Sequence, residues 1–344
     1  MPNEEEILRN PITYLPGITI AMALVLGACM EPAPPAADLR ILTLNLHTYQ
    51  EVDTAGLPES ELTDELAQQR VEAYGAIFDR IATGISELDP DLVCLQEVGE
   101  WPDGKCITPG ALKFGSSDSN MVHQILSRLP DRRYSYTMDW SHFGWSVWLE
   151  GSAVLSKYPL SFSESRFISN ADTIPHSNDW KSRNVPMAKL EVPGLGEVSV
   201  FSVHTGWWDD PDEPFQQQYR RLMVWVEEVS ASSPVTILCG DFNVAAGSAG
   251  YEFMLEGSGF ADQYALANPD GFLDATIGAG ADGWEESDDG RRIDYVLMND
   301  DSPLEAVRAR RVFTSGELGR VSDHVGVFVE FRLEEAGRPQ VGGK

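Results

Sequence analysis

Val-Thr-Ile-Leu-Cys-Gly-Asp-Phe-Asn at Val235–Asn243 is the stretch of this sequence that decides the fold. Its first five residues form an apolar run with the length and composition of a buried strand. Gly240 ends that run, and Asp241 and Asn243 follow at once, so a carboxylate and an amide leave the end of a buried strand. Ligand sites of layered α/β proteins lie at such strand ends. The same residues also suit a turn in which Asp and Asn bond their own backbone, and the stretch alone leaves both interpretations open.

Other apolar runs along the chain end in polar side chains in the same way. Leu39–Leu46 and Asp91–Val98 carry apolar residues on both faces, which is typical of strands covered on both sides. A hairpin turn at Pro193–Gly196 leads into a strand at Glu197–His204. Glu97 lies so close to an apolar run that it must be paired, metal-bound or exposed. A single histidine such as His204 is often only structural. Each position alone therefore leaves its role open. The residues collected in this way are Asn45, Glu97, His204, Asp241, Asn243, Asp294, Asp323 and His324.

Together these side chains offer carboxylate and amide oxygens and two imidazoles. Oxygen ligands without cysteine suit a hard cation such as Mg²⁺, with Mn²⁺ as the alternative. The sequence contains no Cys-x-x-Cys pair, so zinc is not expected. Such a mixture suits the attack of water on a phosphate ester, because a cation and imidazoles neutralise the phosphoryl oxygens while a carboxylate orients and deprotonates the water.

The composition is strongly acidic, with 54 acidic residues against 25 basic ones and a net charge of −29. The 344 residues, 42% of them hydrophobic, suffice for one large domain or two ordinary ones with a sizeable core. A surface this negative attracts divalent cations, repels polyphosphate chains and lacks the basic stripe of nucleic-acid binders. A nucleic acid is therefore a less expected partner than a small molecule.

The internal cysteines predict no metal site. Cys94 and Cys239 lie in apolar, strand-like runs, where a buried free thiol is the ordinary expectation. The sequence identifies no partner for Cys106.

The N-terminal region reads as a targeting segment followed by a tether. Ile18–Ala28 is too short to span a bilayer and has the length of a signal-peptide core. It ends in Leu-Gly-Ala-Cys at Cys29, which resembles a bacterial lipobox and implies cleavage before Cys29 and lipidation of its thiol. We therefore predict a signal peptide and Pro-rich tether over residues 1–38, a catalytic domain over 39–333 and a flexible tail over 334–344. The predicted location is extracytoplasmic, on a membrane through a lipid anchor, with a cytoplasmic location as the alternative.

Six short motifs, in order along the chain, resemble the endonuclease/exonuclease/phosphatase superfamily. They are Leu-Asn-Leu at Asn45, Leu-Gln-Glu at Glu97, Ser-Val-His at His204, Gly-Asp-Phe-Asn at Asp241 and Asn243, Arg-Ile-Asp-Tyr-Val at Asp294, and Ser-Asp-His at Asp323 and His324. One such motif would be weak evidence, whereas six in order are specific. The resemblance spans Leu39 to about Arg332. It implies an α/β (α+β) fold, a four-layer sandwich of two mixed β-sheets packed face to face with helices on the outer faces.

The resemblance also implies a role for each of these positions. Glu97 corresponds to a principal Mg²⁺ ligand, with Asn45 beside it and Asp323 assisting. Asp241 corresponds to the base for the attacking water, and Asn243 to the residue that holds a phosphate oxygen or that water. His324 would stabilise the developing charge, and Asp294 would orient His324. His204 would bind the phosphate or protonate the leaving group.

Within the superfamily, the stretches Phe143–Ser156 and His204–Phe215 look most like the maltose 6'-phosphate phosphatases, and bacterial sphingomyelinases are more distantly similar. The resemblance therefore implies Mg²⁺-dependent hydrolysis of a small phosphoester, either a sugar phosphate or a phospholipid head group. Two alternatives stay open: a secreted nuclease, and a noncatalytic binding protein on the same fold.

Candidate substrate contacts lie in the loops that flank these motifs. Trp207 and Trp208 directly follow His204, and His47 follows the first motif. Trp145 and Trp148 precede the strand that resumes at Gly151, and we expect this stretch to border the site as well. Exposed tryptophans there would suit the apolar face of a sugar ring or a lipid head group, whereas packing beneath a loop is the alternative.

Overall fold

The structure is a computed structural model that describes residues 38–51, 63–101, 119–131, 133–144, 148–170, 180–281, 284 and 289–334. The predicted signal peptide, Cys29, most of the tether, Cys106 and residues 335–344 lie outside these ranges, so the expectations for them stay predictions. Among the helices within the described ranges, none is long and apolar enough to cross a bilayer.

The first of two sheets, sheet A, is built from both ends of the described chain. Its strands are β1 (Leu39–Asn45), β2 (Leu92–Glu100), β3 (Ser135–Gly144), β4 (Trp148–Ser156), β11 (Leu304–Val312) and β12 (Gly326–Leu333). Their order across the sheet is β11-β12-β1-β2-β4-β3. Strands β1 and β2 are parallel, and the other neighbours are antiparallel.

The second sheet, sheet B, comes from the middle of the chain. Its strands are β5 (Leu160–Phe167), β6 (Asn184–Val192), β7 (Gly196–His204), β8 (Val235–Asp241), β9 (Phe260–Asp262) and β10 (Asp294–Asn299). Their order is β5-β6-β7-β8-β10-β9, with β7 and β8 parallel and the other neighbours antiparallel.

The helices connect these strands. They are α1 (Asp64–Leu88), α2 (Met121–Arg128), α3 (Phe215–Ser230), α4 (Ala249–Leu255) and α5 (Gln263–Ala267), followed by a short 3-10 helix at Pro269–Gly271. Helix α1 begins where the Thr63 hydroxyl accepts a hydrogen bond from the Leu66 amide at 3.3 Å. It ends at Asp89, whose backbone turns left-handed at φ 52°.

Three apolar clusters define the layers of the molecule. The central cluster joins residues of both sheets, such as Ile41 and Leu92 with Val200 and Val296. A second cluster packs α1 and α2 on the outer face of sheet A, and a third packs α3 and α4 on the outer face of sheet B. The predicted four-layer sandwich of two mixed sheets with outer helices is therefore confirmed.

Cys94 and Cys239 are paired in a disulfide between the two sheets. Cys94 lies in β2 and Cys239 in β8, both buried in the central cluster, with Cα atoms 6.4 Å apart. The expectation of two separate free thiols is therefore wrong. It failed because apolar strand runs predict burial but do not show which strands of two facing sheets lie opposite each other.

The topology brings five strands together at one edge of the sandwich. Parallel pairing aligns the carboxyl ends of β1 and β2 in sheet A and of β7 and β8 in sheet B. Antiparallel β10 begins at the same edge, because Asp294 pairs with Asp241. The polar residues that follow these runs in the sequence therefore converge on one edge of the sandwich.

Candidate active site

A bulge in β2 directs Glu97 towards this edge. The pairing of β2 with β4 shifts between Leu95 and Val98, and Glu97 adopts a left-handed backbone with φ 47°. Bulges next to active sites commonly redirect a side chain in this way. The Asn45 side-chain amide donates to Glu97 Oε1 at 2.8 Å and to Asp241 Oδ2 at 3.1 Å, so it bridges carboxylates from the two sheets.

Asp241 is the centre of the site. Besides the Asn45 amide, its Oδ2 atom lies 3.7 Å from His204 Nε2 and 3.8 Å from His324 Nε2. A Cβ atom at the preceding residue, Gly240, would overlap the Val203 carbonyl oxygen, so only glycine permits this approach of β7 and β8.

Asn243 is fixed beside Asp241 by its own turn. Its backbone amide donates to Asp241 Oδ1 at 2.9 Å, and its side-chain amide donates to the Thr205 carbonyl at 2.9 Å. Asn243 also has a left-handed backbone, with φ 49°. The turn expected from the sequence is thus present within the site itself, and the two interpretations of this stretch are compatible.

His324 and Asp294 form a buried pair on the far side of Asp241. His324 Nδ1 lies 2.9 Å from Asp294 Oδ2. Burial opposes a charge on His324, but the Asp294 carboxylate outweighs it and raises the pKa of His324 well above its ordinary value. The arrangement therefore presents a cationic imidazole to the centre of the site.

The two carboxylates at the centre are buried near other acidic groups, so their ionised forms are disfavoured in the metal-free protein. Burial, followed by the charge of Glu150, raises the pKa of Glu97 to about 8. Burial also raises the pKa of Asp241 to about 7, although His324 works in the opposite direction. Ligand atoms of Glu97, His204 and Asp241 lie within 4.8 Å of one another. A divalent cation would relieve this repulsion, so the donor set fits Mg²⁺ or Mn²⁺.

Asn45 faces the proposed cation position through the nitrogen of its side-chain amide, because the oxygen of that amide accepts a hydrogen bond from the His47 backbone amide at 2.9 Å. Glu97 is thus the better placed of the two predicted ligands. Ligation by Asn45 stays a prediction and requires its amide to turn.

Asp323 lies in a neighbouring cluster with His47 and Glu51. His47 Nδ1 is 2.7 Å from Glu51 Oε1 and 3.5 Å from Asp323 Oδ1. Burial lowers the pKa of His47, but Glu51 and the surrounding carboxylates raise it to about 9 overall. The charge of Asp323 contributes to the raised pKa of Glu97, so the cluster is electrostatically part of the site. The roles predicted for Asp323 and His47 stay predictions.

His204 is a neutral imidazole in the free protein. Burial lowers its pKa well below the ordinary value, and the nearby Arg183 guanidinium adds to this effect. A bound phosphate would oppose both effects. Whether His204 binds the phosphate or protonates the leaving group stays a prediction.

Glu150 and His142 belong to this region, and sequence analysis missed both. Glu150 accepts a hydrogen bond from the Thr48 hydroxyl at 2.6 Å, and His142 Nε2 lies 3.3 Å from its other oxygen. Burial raises the pKa of Glu150, but His142 and Thr48 outweigh it and lower the pKa below its usual range. A glutamate beside the apolar strand that starts at Gly151 was the available signal, because such a carboxylate needs a partner.

The tryptophans near the site differ in their surroundings. Trp208 packs against Phe253, with ring centroids 5.6 Å apart, and belongs to the periphery of the core beneath α3. Trp148 is fully buried, so of the two interpretations left open for these tryptophans, packing holds for it, and Trp145 lies outside the described residues. Trp207 instead makes an edge contact with Trp180. Trp207 and Trp208 are both half-buried. The sequence could not predict this, because adjacent loop residues have no fixed periodicity of burial.

Comparison with known proteins places the chain in a family. The endonuclease/exonuclease/phosphatase family model matches residues 73–324. The uncharacterized protein YbhP of Escherichia coli (strain K12) is 28% identical over 177 residues, which cover 48% of this chain and 59% of YbhP. The match thus spans little more than half the length of that relative.

Solved structures share the fold along most of the chain. An endonuclease/exonuclease/phosphatase family protein from Leptotrichia buccalis C-1013-b has a TM-score of 0.65 at 22% identity, covering 86% of this chain and 100% of its own. The mannosyl-6-phosphatase Bt3783 of Bacteroides thetaiotaomicron VPI-5482 has a TM-score of 0.55 at 15% identity, covering 85% and 99%. From the family match, the shared sandwich and the convergence of the motif residues, we conclude that this chain is a member of the endonuclease/exonuclease/phosphatase family.

Proposed function

We propose that the protein hydrolyses a small phosphoester with the help of Mg²⁺ or Mn²⁺. The observation that carries this proposal is the surroundings of Asp241 Oδ2, which has one amide and two imidazoles within 3.8 Å. One imidazole is cationic and the other neutral, so a single carboxylate oxygen lies between groups suited to different stages of phosphoryl transfer. When bound near Glu97, the cation would supply charge neutralisation to the phosphoryl oxygens.

The residues of the chain divide the remaining work. Asp241 accepts the proton of the attacking water, and Asn243 orients that water or a phosphate oxygen. His324, held by Asp294, stabilises negative charge on the phosphoryl group. His204 contacts the phosphate on the side of β7 through a ring N–H. Its ring, protonated beside the anionic ester, gives a proton to the alcohol oxygen as the bond from phosphorus to that oxygen breaks.

The proposed substrate is a sugar phosphate or a phospholipid head group rather than a nucleic acid. At a net charge of −29, the protein would repel a polyanion, and each phosphate contact of a nucleic acid calls for a cationic partner. A small ester presents one or two charges, which a single cation and His324 can neutralise. The secreted nuclease remains the second candidate because the family contains both activities by its description.

A panel of phosphoesters tests this proposal. Purified protein is assayed on a hexose 6-phosphate, phosphocholine, sphingomyelin and plasmid DNA, each with Mg²⁺, with Mn²⁺ and with EDTA. We expect hydrolysis of a small ester that EDTA abolishes and either cation restores. Full activity in a metal-free preparation would overturn the metal-dependent mechanism, and faster cleavage of DNA than of every small ester would make the protein a nuclease.

We also propose that the mature protein is extracytoplasmic and anchored to a membrane by lipid on Cys29. Two features support this location. Leu-Gly-Ala-Cys at Cys29 resembles a lipobox, and the disulfide between Cys94 and Cys239 is typical of oxidising compartments.

One measurement checks both features. In the native host, we expect the protein in the membrane fraction, with an intact mass that shows cleavage before Cys29, added lipid and the loss of two hydrogens at the cysteine pair. The Cys29→Ser variant should lose the lipid. An unprocessed N-terminus with free Cys94 and Cys239 thiols would refute the location and favour a cytoplasmic sugar phosphatase.

A further inference from the structure

Two loops leave the same end of the neighbouring strands β6 and β7, at the edge that carries the site. The strands are antiparallel, and their pairing ends at Met187 opposite Phe201, close to the start of β6 and the end of β7. The residues just before β6, at 180–183, and those just after β7, at 205–208, therefore leave the sheet side by side. Since β7 runs parallel to β8 with His204 level with Asp241, both loops rise from the edge that carries the site.

Ion pairs and hydrogen bonds hold these two loops together. Lys181 Nζ lies 2.9 Å from Asp210 Oδ2 and 2.8 Å from Asp212 Oδ2. Asp210 in turn accepts a hydrogen bond from the Glu213 backbone amide at 2.8 Å. Arg183 donates to the Trp180 carbonyl at 2.6 Å, which fixes the backbone at the start of the first loop.

Trp180 is the exposed aromatic residue on this support. Half of its surface is accessible, at 50%, whereas Trp101, Trp148 and Trp225 are buried. Its ring meets Trp207 in an edge contact, with centroids 5.5 Å apart and an interplanar angle of 64°. A half-exposed indole that packs edge-on against a second indole offers a flat apolar face to a ligand.

We infer that Trp180, supported by Trp207, is the platform on which the site binds a sugar ring, so that the substrate is a phosphorylated carbohydrate. This inference rests on the proposed function and specifies its substrate. Trp207 follows His204 by three positions, which limits the distance between their Cα atoms to about 10 Å. That reach allows one ring attached to a phosphate at Asp241 and His204 to contact the platform.

The surroundings of Trp180 favour a sugar over other groups that bind aromatic rings. Lys181 Nζ lies over the ring, 5.6 Å from its centre, and so occupies the position that a quaternary ammonium group would take there. A lipid chain requires a continuous apolar surface, whereas Lys181 and its partners Asp210 and Asp212 make the surroundings of Trp180 charged. A sugar ring matches both features, because its C–H face covers the indole while its hydroxyls bond to the carboxylates and to water.

The test compares three variants by substrate. Trp180→Ala removes the ring, Trp180→Phe keeps an aromatic face, and Phe162→Ala removes another exposed aromatic residue, on β5, as the matched control. Each is assayed with Mg²⁺ on a hexose 6-phosphate, glycerol 2-phosphate, phosphocholine and adenosine monophosphate. Calorimetric titration of hexose 6-phosphate into each protein gives a second readout that needs no turnover.

We expect Trp180→Ala to lower the preference in kcat/KM for the hexose ester over glycerol phosphate by about fivefold or more, mainly through KM. Trp180→Phe should recover most of that preference, Phe162→Ala should not change it, and calorimetry should show the same order. If Trp180→Ala keeps the wild-type preference for the hexose ester, the inference is overturned. The proposed function still stands in that case if glycerol phosphate is hydrolysed. A larger loss on adenosine monophosphate or phosphocholine than on the hexose ester would also overturn it, in favour of a base or a cationic group.

If no ester is turned over, the proposed function fails, but the inference is still judged by calorimetry. Hexose 6-phosphate binding that is equal in wild type and Trp180→Ala, or absent from both, would reject it. Weaker binding to Trp180→Ala than to Phe162→Ala would support a sugar platform on a noncatalytic protein.

Discussion

Replacing Glu97 with glutamine should abolish most cation binding and, with it, nearly all turnover. Glu97 is the carboxylate that the β2 bulge directs to the site edge, and its raised pKa of about 8 reflects burial and the charge of Glu150. A cation favours the ionised form and is bound far less well by a neutral amide. We expect a loss of roughly a hundredfold or more in kcat/KM at moderate Mg²⁺.

Titration calorimetry with Mn²⁺ and activity as a function of Mg²⁺ measure this effect. The matched control is Glu227→Gln, which makes the same chemical change at an exposed position of α3. Wild-type affinity for Mn²⁺ in Glu97→Gln would exclude Glu97 as a principal ligand and direct attention to His47, Glu51 and Asp323.

The pH dependence of the free energy of unfolding of the metal-free protein gives an independent test of the charge on Glu97. Between pH 4.5, the ordinary pKa of a glutamate, and about 8, folded Glu97 retains a proton that the unfolded chain has lost. The folded state binds more protons in this window, so its contribution to stability falls as pH rises. Glu97→Gln should therefore lose less stability than wild type between about pH 5 and pH 8 in EDTA, and an identical slope would contradict the assigned pKa.

The sequence predicted those site residues that are polar and lie where an apolar run stops. Apolar runs that stop at Asn45, His204 and Asp241 identify both the strand and the residue at its end. Glu97 instead lies within β2, at the bulge that follows its parallel pairing with β1, and the parallel pairs bring these positions together. Edge strands were less predictable. Strand β5 and strand β11, Leu304–Val312 with its charged Arg308 and Arg310, have no continuous buried face, so the alternation that marks a strand is weak there.

Contacts between elements distant in sequence were beyond prediction. Glu150 meets Thr48 across 102 positions of the chain, and Cys94 meets Cys239 across 145. Both contacts depend on which strands pair and on the register of the two sheets, and a local pattern contains neither. The direction of the Asn45 amide likewise depends on the His47 backbone, which turns left-handed immediately after β1.

The second large effect concerns Asp241 and His324. We expect Asp241→Asn and His324→Ala each to lower kcat by roughly a hundredfold or more, the usual size for a base or for a charge stabiliser. His324 Nε2 lies 3.8 Å from Asp241 Oδ2, so the two groups act on the same reacting atoms. Because residues that act as a unit are not additive, the double variant should be little worse than either single variant.

The pH profile separates the two roles. A carboxylate base works in its ionised form, and burial holds the pKa of Asp241 at about 7 in the metal-free protein. A bound cation lowers that pKa, so the rate with Mg²⁺ should rise with pH along a limb centred below about 7. This limb should disappear in Asp241→Asn, whereas His324→Ala, which removes the cation opposite Asp241, should move it to higher pH.

Matched controls are Asp270→Asn, at an exposed position, and His123→Ala, in α2 away from the site. Both should retain wild-type rates, and circular dichroism should show that the two site variants remain folded. Near wild-type turnover in either Asp241→Asn or His324→Ala would remove the observation that carries the hydrolase proposal. The eight strand-end residues would then support a binding protein built on this fold, whose ligand could be sought by calorimetry with the same phosphoesters.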